Sequence, residues 1–497
     1  MPSRTSHITG LLAGACIPWS WPTESPPSYF DISTAVDSGW LPLIAGMDDR
    51  DSACPYVLMS DFGESVSSPQ AGRVVLVADT PFTRTSDIDP DRVCPAVLTA
   101  LLLVRLGARE RCWHRNEVTA NFTIDDPNLV EPYGRISYNA LLRSMRAVGY
   151  HTTIAFIPWN YRRTERDMEA MFADAPQYLS LAVHGNDHDG YEFGAAPTQL
   201  DDTTSTRRIS RQRASVAEAL VRMKMLAHRT GLSFSPVMIF PHGIGSVDAI
   251  LELERSGYLA SANRQLVPSG ASRPVRFDFG LRPADDTNAS FPLMQRWWPT
   301  DVVPELAAFL GKPILLYGHE RDFASPLAAL EEHVARIRHL NAEWRDLTGI
   351  ARSLYLKRDA GAGETQVWML SGEVDIVNRG SESREFTFLR ANVDADSYHV
   401  SINGVPSRLE TQQNCITVRA TAAPGQRIQV RIARRNIVGG CTEDGAVVGS
   451  RRAAVVGRLR VALRRRVCDW RDRYLPRLGP MAPEGTAFAA RKLECEL

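Results

Sequence analysis

EVTANFTIDD, residues 117–126, is the stretch that decides the fold. It reads as a strand, and it ends on two carboxylates, Asp125 and Asp126. ISYNALLRSMRAVG (136–149) follows with the spacing of an amphipathic helix. HTTIAFIP (151–158) is a strand, RTERDMEAMFADA (163–175) a helix and YLSLAVHG (178–185) a strand. RRISRQRASVAEALVRMKMLAHRTG (207–231) is a long helix ending at a glycine. SPVMIFPHG (235–243), SVDAILELERSG (246–257) and YLASAN (258–263) read as strand, helix and strand. VPELAAFLG (303–311) and KPILLYGHE (312–320) repeat the helix and strand, and PLAALEEHVARIRHLNAEW (326–344) closes the region as a helix. Strands alternating with helices imply parallel strands joined by crossover helices. About seven such units close into a barrel, whose site lies at the C-terminal ends of its strands.

Working outward, residues 1–110 form an N-terminal region of unassigned role. It holds a strand-like GRVVLVAD (72–79) and the apolar run CPAVLTALLLV (94–104). A membrane span needs about 20 such residues, so the run reads as a buried helix. The first residues carry a single Arg4 before a short apolar stretch that runs into prolines, a poor secretion signal. A cytoplasmic location is expected. Residues 111–350 are the barrel region. Residues 351–445 change to short β-rich runs separated by turns such as INGVP and APGQ, the pattern of a small β-sandwich. Trp368 and Tyr398 there read as core rather than as sugar-stacking rings.

Residues 446–497 form a basic tail. RRAAVVGRLRVALRRRVCDWRDRYLPR carries ten arginines against two aspartates, with Val456, Leu459, Leu463, Val467, Trp470 and Tyr474 at helical spacing. Such a helix suits a membrane surface, a partner protein, or packing on its own chain with a solvated arginine face. The first would hold the protein peripherally at the inner membrane.

The whole chain of 497 residues is 44% hydrophobic and 23% charged, as in soluble globular proteins. Its 57 basic and 57 acidic residues cancel, which argues against a general binder of polyanions; no nucleic-acid partner is expected. Eight scattered cysteines form no CxxC pair and suggest neither a disulfide framework nor a zinc ribbon.

The unusual polar residues fall at strand ends. Asp125 and Asp126 end the first strand, and His184 and His188 follow the third. His242 ends IFPHG, and His319 with Glu320 ends ILLYGHE. Taken singly, each has a plain structural reading: an Asp pair caps or turns, and a strand-end histidine is commonly a satisfied surface or core group. The loop HGNDH resists the plainest one, because Gly185, Asn186 and Asp187 are poor helix formers directly after a strand. Two neutral imidazoles and a carboxylate suit a divalent ion, zinc by preference, with cobalt or nickel fitting the same ligand types. One Asp ligates and the other stays free as a base. A divalent ion makes water far more acidic, so a weak base suffices. His319 on the other side can protonate a leaving group. The set suits hydrolysis of an amide or ester.

FTIDD and HGNDH resemble the first two motifs of the NodB-type polysaccharide deacetylases, carbohydrate esterase family four. The resemblance implies a distorted (β/α) barrel of NodB type, here an α/β fold extended by the N-terminal region, the β-sandwich and the basic helical tail. It implies Asp125 as general base and Asp126, His184 and His188 as metal ligands. It implies His319 as acid, from the looser match ILLYGHE to the family's Leu-x-His motif. The family's Arg-x-Pro-Tyr motif corresponds to Ile239–His242 without the arginine, and His242 stands where the tyrosine's backbone N–H helps hold an oxyanion. Arg282, Arg296 and Arg321 are the candidates to replace that arginine, and the family's Asp-x-x-Asp-Trp motif has no good counterpart. The implied activity is removal of acetyl groups from N- or O-acetylated sugars. The alternatives are an amidase acting on a non-carbohydrate C–N bond, and an inactive platform that binds glycan or membrane.

Overall fold

The computed structural model describes residues 41–47, 53–62, 72–77, 95–115, 117–188, 192–194, 202–243, 245–266, 282–285, 290–322, 327–391, 394–412, 415–435 and 451–478. The poor-signal segment at the N-terminus and the last nineteen residues of the tail lie outside them.

Three strands, β1 (Leu41–Met47), β2 (Ala53–Phe62) and β3 (Gly72–Val77), make an antiparallel sheet. The apolar run follows as helix α1 (Pro95–Ala108). The central region then alternates: β4 (Thr119–Asp125), α2 (Tyr138–Val148), β5 (Thr152–Phe156), α3 (Arg166–Asp174), β6 (Leu179–His184), α4 (Asp202–Thr230), β7 (Ser235–Ile239), α5 (Val247–Ser256) and β8 (Ala260–Asn263). It continues with β9 (Leu293–Trp297), α6 (Pro304–Phe309), β10 (Ile314–His319), α7 (Ala328–Ile337), β11 (Glu343–Trp344) and α8 (Leu347–Arg352). Ser137 and Ser246 cap α2 and α5 by accepting from Ala140 N and Ala249 N, and Gly149 and Gly257 end them in the left-handed region.

Strands β4 to β10 are all parallel and neighbour one another in chain order, and β10 pairs back onto β4. That closes a seven-stranded (β/α) barrel. The short β11 adds beside the start of β4. The pleat sorts the side chains, because successive residues of a strand face opposite sides. Phe122, Ile124, Ile154, Phe156, Leu181, Val183 and Met238 pack outward with the helices in one large apolar cluster. Ala155, Ala182, Val237, Ile239, Met294 and Leu315 join a second cluster on the inner side, small enough in places to let a narrow barrel close. By the same alternation Asp125, His184, Arg296 and His319 take inner positions at the C-terminal ends of β4, β6, β9 and β10.

The chain then builds β12 (Tyr355–Gly361), β13 (Glu364–Met369), β14 (Glu373–Val377), β15 (Arg384–Ala391), β16 (Tyr398–Ile402), β17 (Val405–Ser407), β18 (Glu410–Gln412), β19 (Cys415–Ala422) and β20 (Arg427–Arg434). They form a five-stranded sheet, β12-β13-β15-β19-β18, and a four-stranded one, β14-β20-β16-β17. Val367, Phe386, Phe388 and Val418 from the first meet Val374, Val400, Ile428 and Val430 from the second in a shared core, so this is a β-sandwich. It is fastened to the barrel through Glu254 of α5, which accepts from Arg390 at 3.1 Å and from the Tyr398 hydroxyl at 2.7 Å. The last described element is the tail helix α9 (Arg451–Leu478). No helix among the described residues is long and apolar enough to cross a membrane.

Two details differ from the reading of the sequence. The strand β9 was not expected. The helix expected over 326–344 stops at Ile337 and is followed by a 3-10 turn, with Asn341 left-handed at φ 50°, before β11 begins. Within the β-rich region, β13 and β14 belong to different sheets of the sandwich, and the chain crosses between them at Leu370–Gly372.

Candidate functional site

Asp125 lies on the inner face of β4, opposite His319 of β10 in the register that closes the barrel. An extended chain would send the next residue, Asp126, outward to the helices. Its φ of 83° breaks the pleat and leaves it over the barrel mouth, while its N–H still donates to Ala155 O at 3.3 Å. Both carboxylates thus serve one site although they are neighbours in sequence.

His184 is the last residue of β6, and His188 follows one short loop later. Both present Nε2 to Asp126 Oδ1, at 3.3 Å and 3.5 Å. One donor atom from each of Asp126, His184 and His188 lies within 4.8 Å of the others. Four-coordinate zinc with ligands at about 2.0–2.1 Å separates its donors by about 3.3–3.4 Å, so the spacing seen here fits such an ion. The tautomer fits too. His184 Nδ1 is 3.0 Å from Ile239 O, a pure acceptor, so Nδ1 carries the proton and Nε2 keeps its lone pair. Burial, against the pull of Asp126 and reinforced by His184, Arg465 and His242, lowers the His188 pKa to about 3, which keeps that imidazole neutral. Asp126 is held well below the usual carboxylate range: burial opposes this, but its close contacts with the His184, His188 and His319 rings win.

The loop between the histidines is built for this purpose. Gly185 has φ 58°, and a Cβ there would stand 2.6 Å from Pro241 Cγ, so no other residue fits without displacement. The Asn186 side chain donates to Glu218 Oε2 at 3.1 Å and accepts from Arg222 Nη1 at 2.6 Å, both on α4. Asn186 O accepts from Trp159 N at 2.9 Å, and the Arg222 guanidinium lies 4.4 Å from the Trp159 ring. Glu192 Oε2 accepts from the N–H groups of Asn186 and His188, each at 3.2 Å. Burial and the charge of Asp187 push the Glu192 carboxyl up to about 7. Asp126, His188 and His242 all have positive φ, at 83°, 54° and 62°. Such residues cost about 1–3 kcal/mol each and collect where geometry serves function.

Asp125 stands beside this set without joining it. Arg296 grips it in a buried fork, Nη1 to Oδ1 at 2.7 Å and Nη2 to Oδ2 at 3.0 Å. Burial raises the Asp125 pKa, but the Arg296 guanidinium outweighs it and the net shift is downward. Of the three arginines considered from sequence, Arg296 is the one on Asp125; the Arg321 side chain lies outside the described residues. Arg296 also lies 4.5 Å from the Tyr317 ring, which fixes the guanidinium plane.

His319 occupies the opposite side, with Nε2 4.0 Å from Asp126 Oδ2. Asp322 orients it, accepting from the His319 backbone N–H at 2.8 Å and lying 3.4 Å from Nδ1. Burial disfavours its protonation, but the Asp322 interaction and the charges of Asp126 and Asp125 prevail and raise its pKa to about 9. Trp298, just after β9, stacks at 4.4 Å on Tyr317 and lies 6.0 Å from the His319 ring. The His242 ring packs 5.4 Å from that of His188, so all six residues singled out from sequence lie around one mouth. Sequence reasoning missed Asp322, Trp298 and the Arg222–Glu218 clamp. A carboxylate three residues after His319 was the one available signal. Arg464 of α9 was also missed; it donates to His188 O at 3.0 Å.

No protein-family model and no curated protein matches the sequence. Similar solved structures include a family 4 carbohydrate esterase from Streptomyces lividans in complex with acetate, 14% identical, covering 46% of this chain and 93% of that one with a TM-score of 0.28. A family 4 carbohydrate esterase from Bacillus anthracis is 13% identical, covering 52% of this chain and 94% of that one with a TM-score of 0.29. A family 4 pseudoenzyme, also from Bacillus anthracis, is 11% identical over 48% of this chain and 67% of that one, with a TM-score of 0.29. The three solved structures named above are two carbohydrate esterases of family four and a pseudoenzyme of that family.

Proposed function

We propose that the protein is a metal-dependent hydrolase that removes acetyl groups from N- or O-acetylated sugars. The observation that carries this reading is the convergence of Asp126, His184 and His188 beside an Arg296-held Asp125, with His319 across the mouth.

A divalent ion held by Asp126, His184 and His188, zinc by preference, supplies Lewis-acid polarisation of the acyl carbonyl and acidifies water. The chain's own residues show why that chemistry is needed. Arg296 holds the Asp125 carboxylate below the ordinary carboxylate range, which makes it far too weak a base for ordinary water. Water acidified by such an ion would come within reach of a base as weak as Asp125. Asp125 takes the proton as the oxygen attacks the acetyl carbon. His319 Nε2 gives a proton to the departing nitrogen or oxygen as its bond to that carbon breaks. Acetate and a free amine or hydroxyl result. The backbone N–H of His242, whose ring packs beside that of His188, would be the donor to the developing oxyanion.

Acetate release from N-acetylated and O-acetylated oligosaccharides tests the proposal. Wild type supplied with zinc is expected to turn over one class, and Asp125→Asn to lose at least a hundredfold while keeping its metal. Turnover of simple amides with none of any acetylated sugar would replace this reading by a non-carbohydrate amidase.

A further inference from the structure

The tail helix α9 is inverted. A surface helix normally turns its apolar stripe toward the protein and its charges toward water. On α9 three charged side chains face inward instead. Arg464 donates to His188 O at 3.0 Å, Asp469 pairs with Arg163 at 2.6 Å, and Arg465 is only 7% exposed. The helix also packs on the turn Glu320–Asp322 that follows His319. The apolar face points away from the barrel. Leu459, Leu463, Val467, Trp470 and Tyr474, spaced four, four, three and four apart, are 65%, 67%, 57%, 56% and 40% exposed. These are the larger part of the exposed large apolar side chains among the described residues, gathered on one face. A contiguous exposed stripe of this kind marks a contact surface.

We infer that this stripe docks on an anionic lipid bilayer and holds the barrel mouth at the membrane surface. Three features favour a bilayer over a protein groove. Exposed Arg460 and Arg471 border one edge of the stripe and Arg466 the other, the arrangement that sets an amphipathic helix in the headgroup plane. Trp470 and Tyr474 sit within it, and both are ring types that favour the boundary between headgroups and acyl chains. Residues 451–477 hold ten arginines against two aspartates, a surplus of eight positive charges in a chain whose total is zero. Anionic headgroups complement that local surplus. Resting on the deacetylase reading above, the geometry assigns the substrate to acetylated glycan presented at a membrane surface, because α9 also borders the mouth.

The test is co-sedimentation of the full-length chain with vesicles of phosphatidylcholine alone or mixed with phosphatidylglycerol. Binding to the anionic vesicles is expected, falling about fivefold for each flanking arginine neutralised in Arg460→Gln and Arg466→Gln. Leu463→Asp/Val467→Asp, both solvent-facing, is expected to lower binding at least tenfold and leave metal content unchanged. Equal binding to both vesicle types, no binding to either, or full binding by the double variant would overturn the inference. None of these outcomes depends on hydrolysis, so the membrane inference and the hydrolase reading fail separately.

Discussion

Arg296 serves Asp125 in two ways: its fork fixes the carboxylate plane, and its charge keeps the carboxylate ionised in a buried place. Removing one member of a buried pair leaves the other without compensation, at a cost of about 3–5 kcal/mol. Arg296→Ala is therefore expected to lower unfolding free energy by about that amount in urea titration. Arg296→Lys should recover part of the stability but not the two-point grip, because an ammonium is a point charge. A change below about 1 kcal/mol for Arg296→Ala would mean that the fork adds little. At this scale the cluster of Asp126, His184 and His188 was legible. Asp126, His184 and His188 sit in two short segments whose residue types leave few other readings. The arginine was not settled, because a side chain reaching across a barrel comes from a strand far away in sequence, and three arginines were equally available to the argument.

Element packing decides whether the two histidines stay aimed. Asn186 is clamped by Glu218 and Arg222 of α4, and Arg222 leans on Trp159. Groups that orient a ligand loop commonly affect metal affinity about ten- to a hundredfold. Arg222→Ala is expected to weaken zinc binding within that range in a chelator competition, with circular dichroism unchanged; unaltered affinity would show that the loop holds itself. The strand and helix rhythm was legible because most strands are apolar runs closed by turn residues. β9 escaped for a physical reason. LMQRW is five residues long, and its inward Arg296 is tolerated only because Asp125 lies opposite. A polar residue at an inner position hides the period that betrays the other strands. The end of α7 was likewise hidden, since the left-handed Asn341 interrupts an otherwise helical composition.

Across the whole molecule, closure of β10 onto β4 turns distant residues into neighbours: His319 meets Asp125 in register, and β6 and β9 bring His184 and Arg296 to the same end. The tail completes the rim, since α9 reaches His188 O through Arg464. The tail's charge and helical spacing were legible in the sequence, but its inverted orientation was not, because composition gives both faces of a helix and not which one meets the protein. The central claim is that this barrel mouth holds a divalent ion, and metal content by mass spectrometry tests it most directly. The account predicts about one zinc per chain in wild-type protein supplied with zinc, and little or none in His184→Ala/His188→Ala. Wild-type protein that takes up no zinc, cobalt or nickel, or a double variant that keeps its metal, would contradict it.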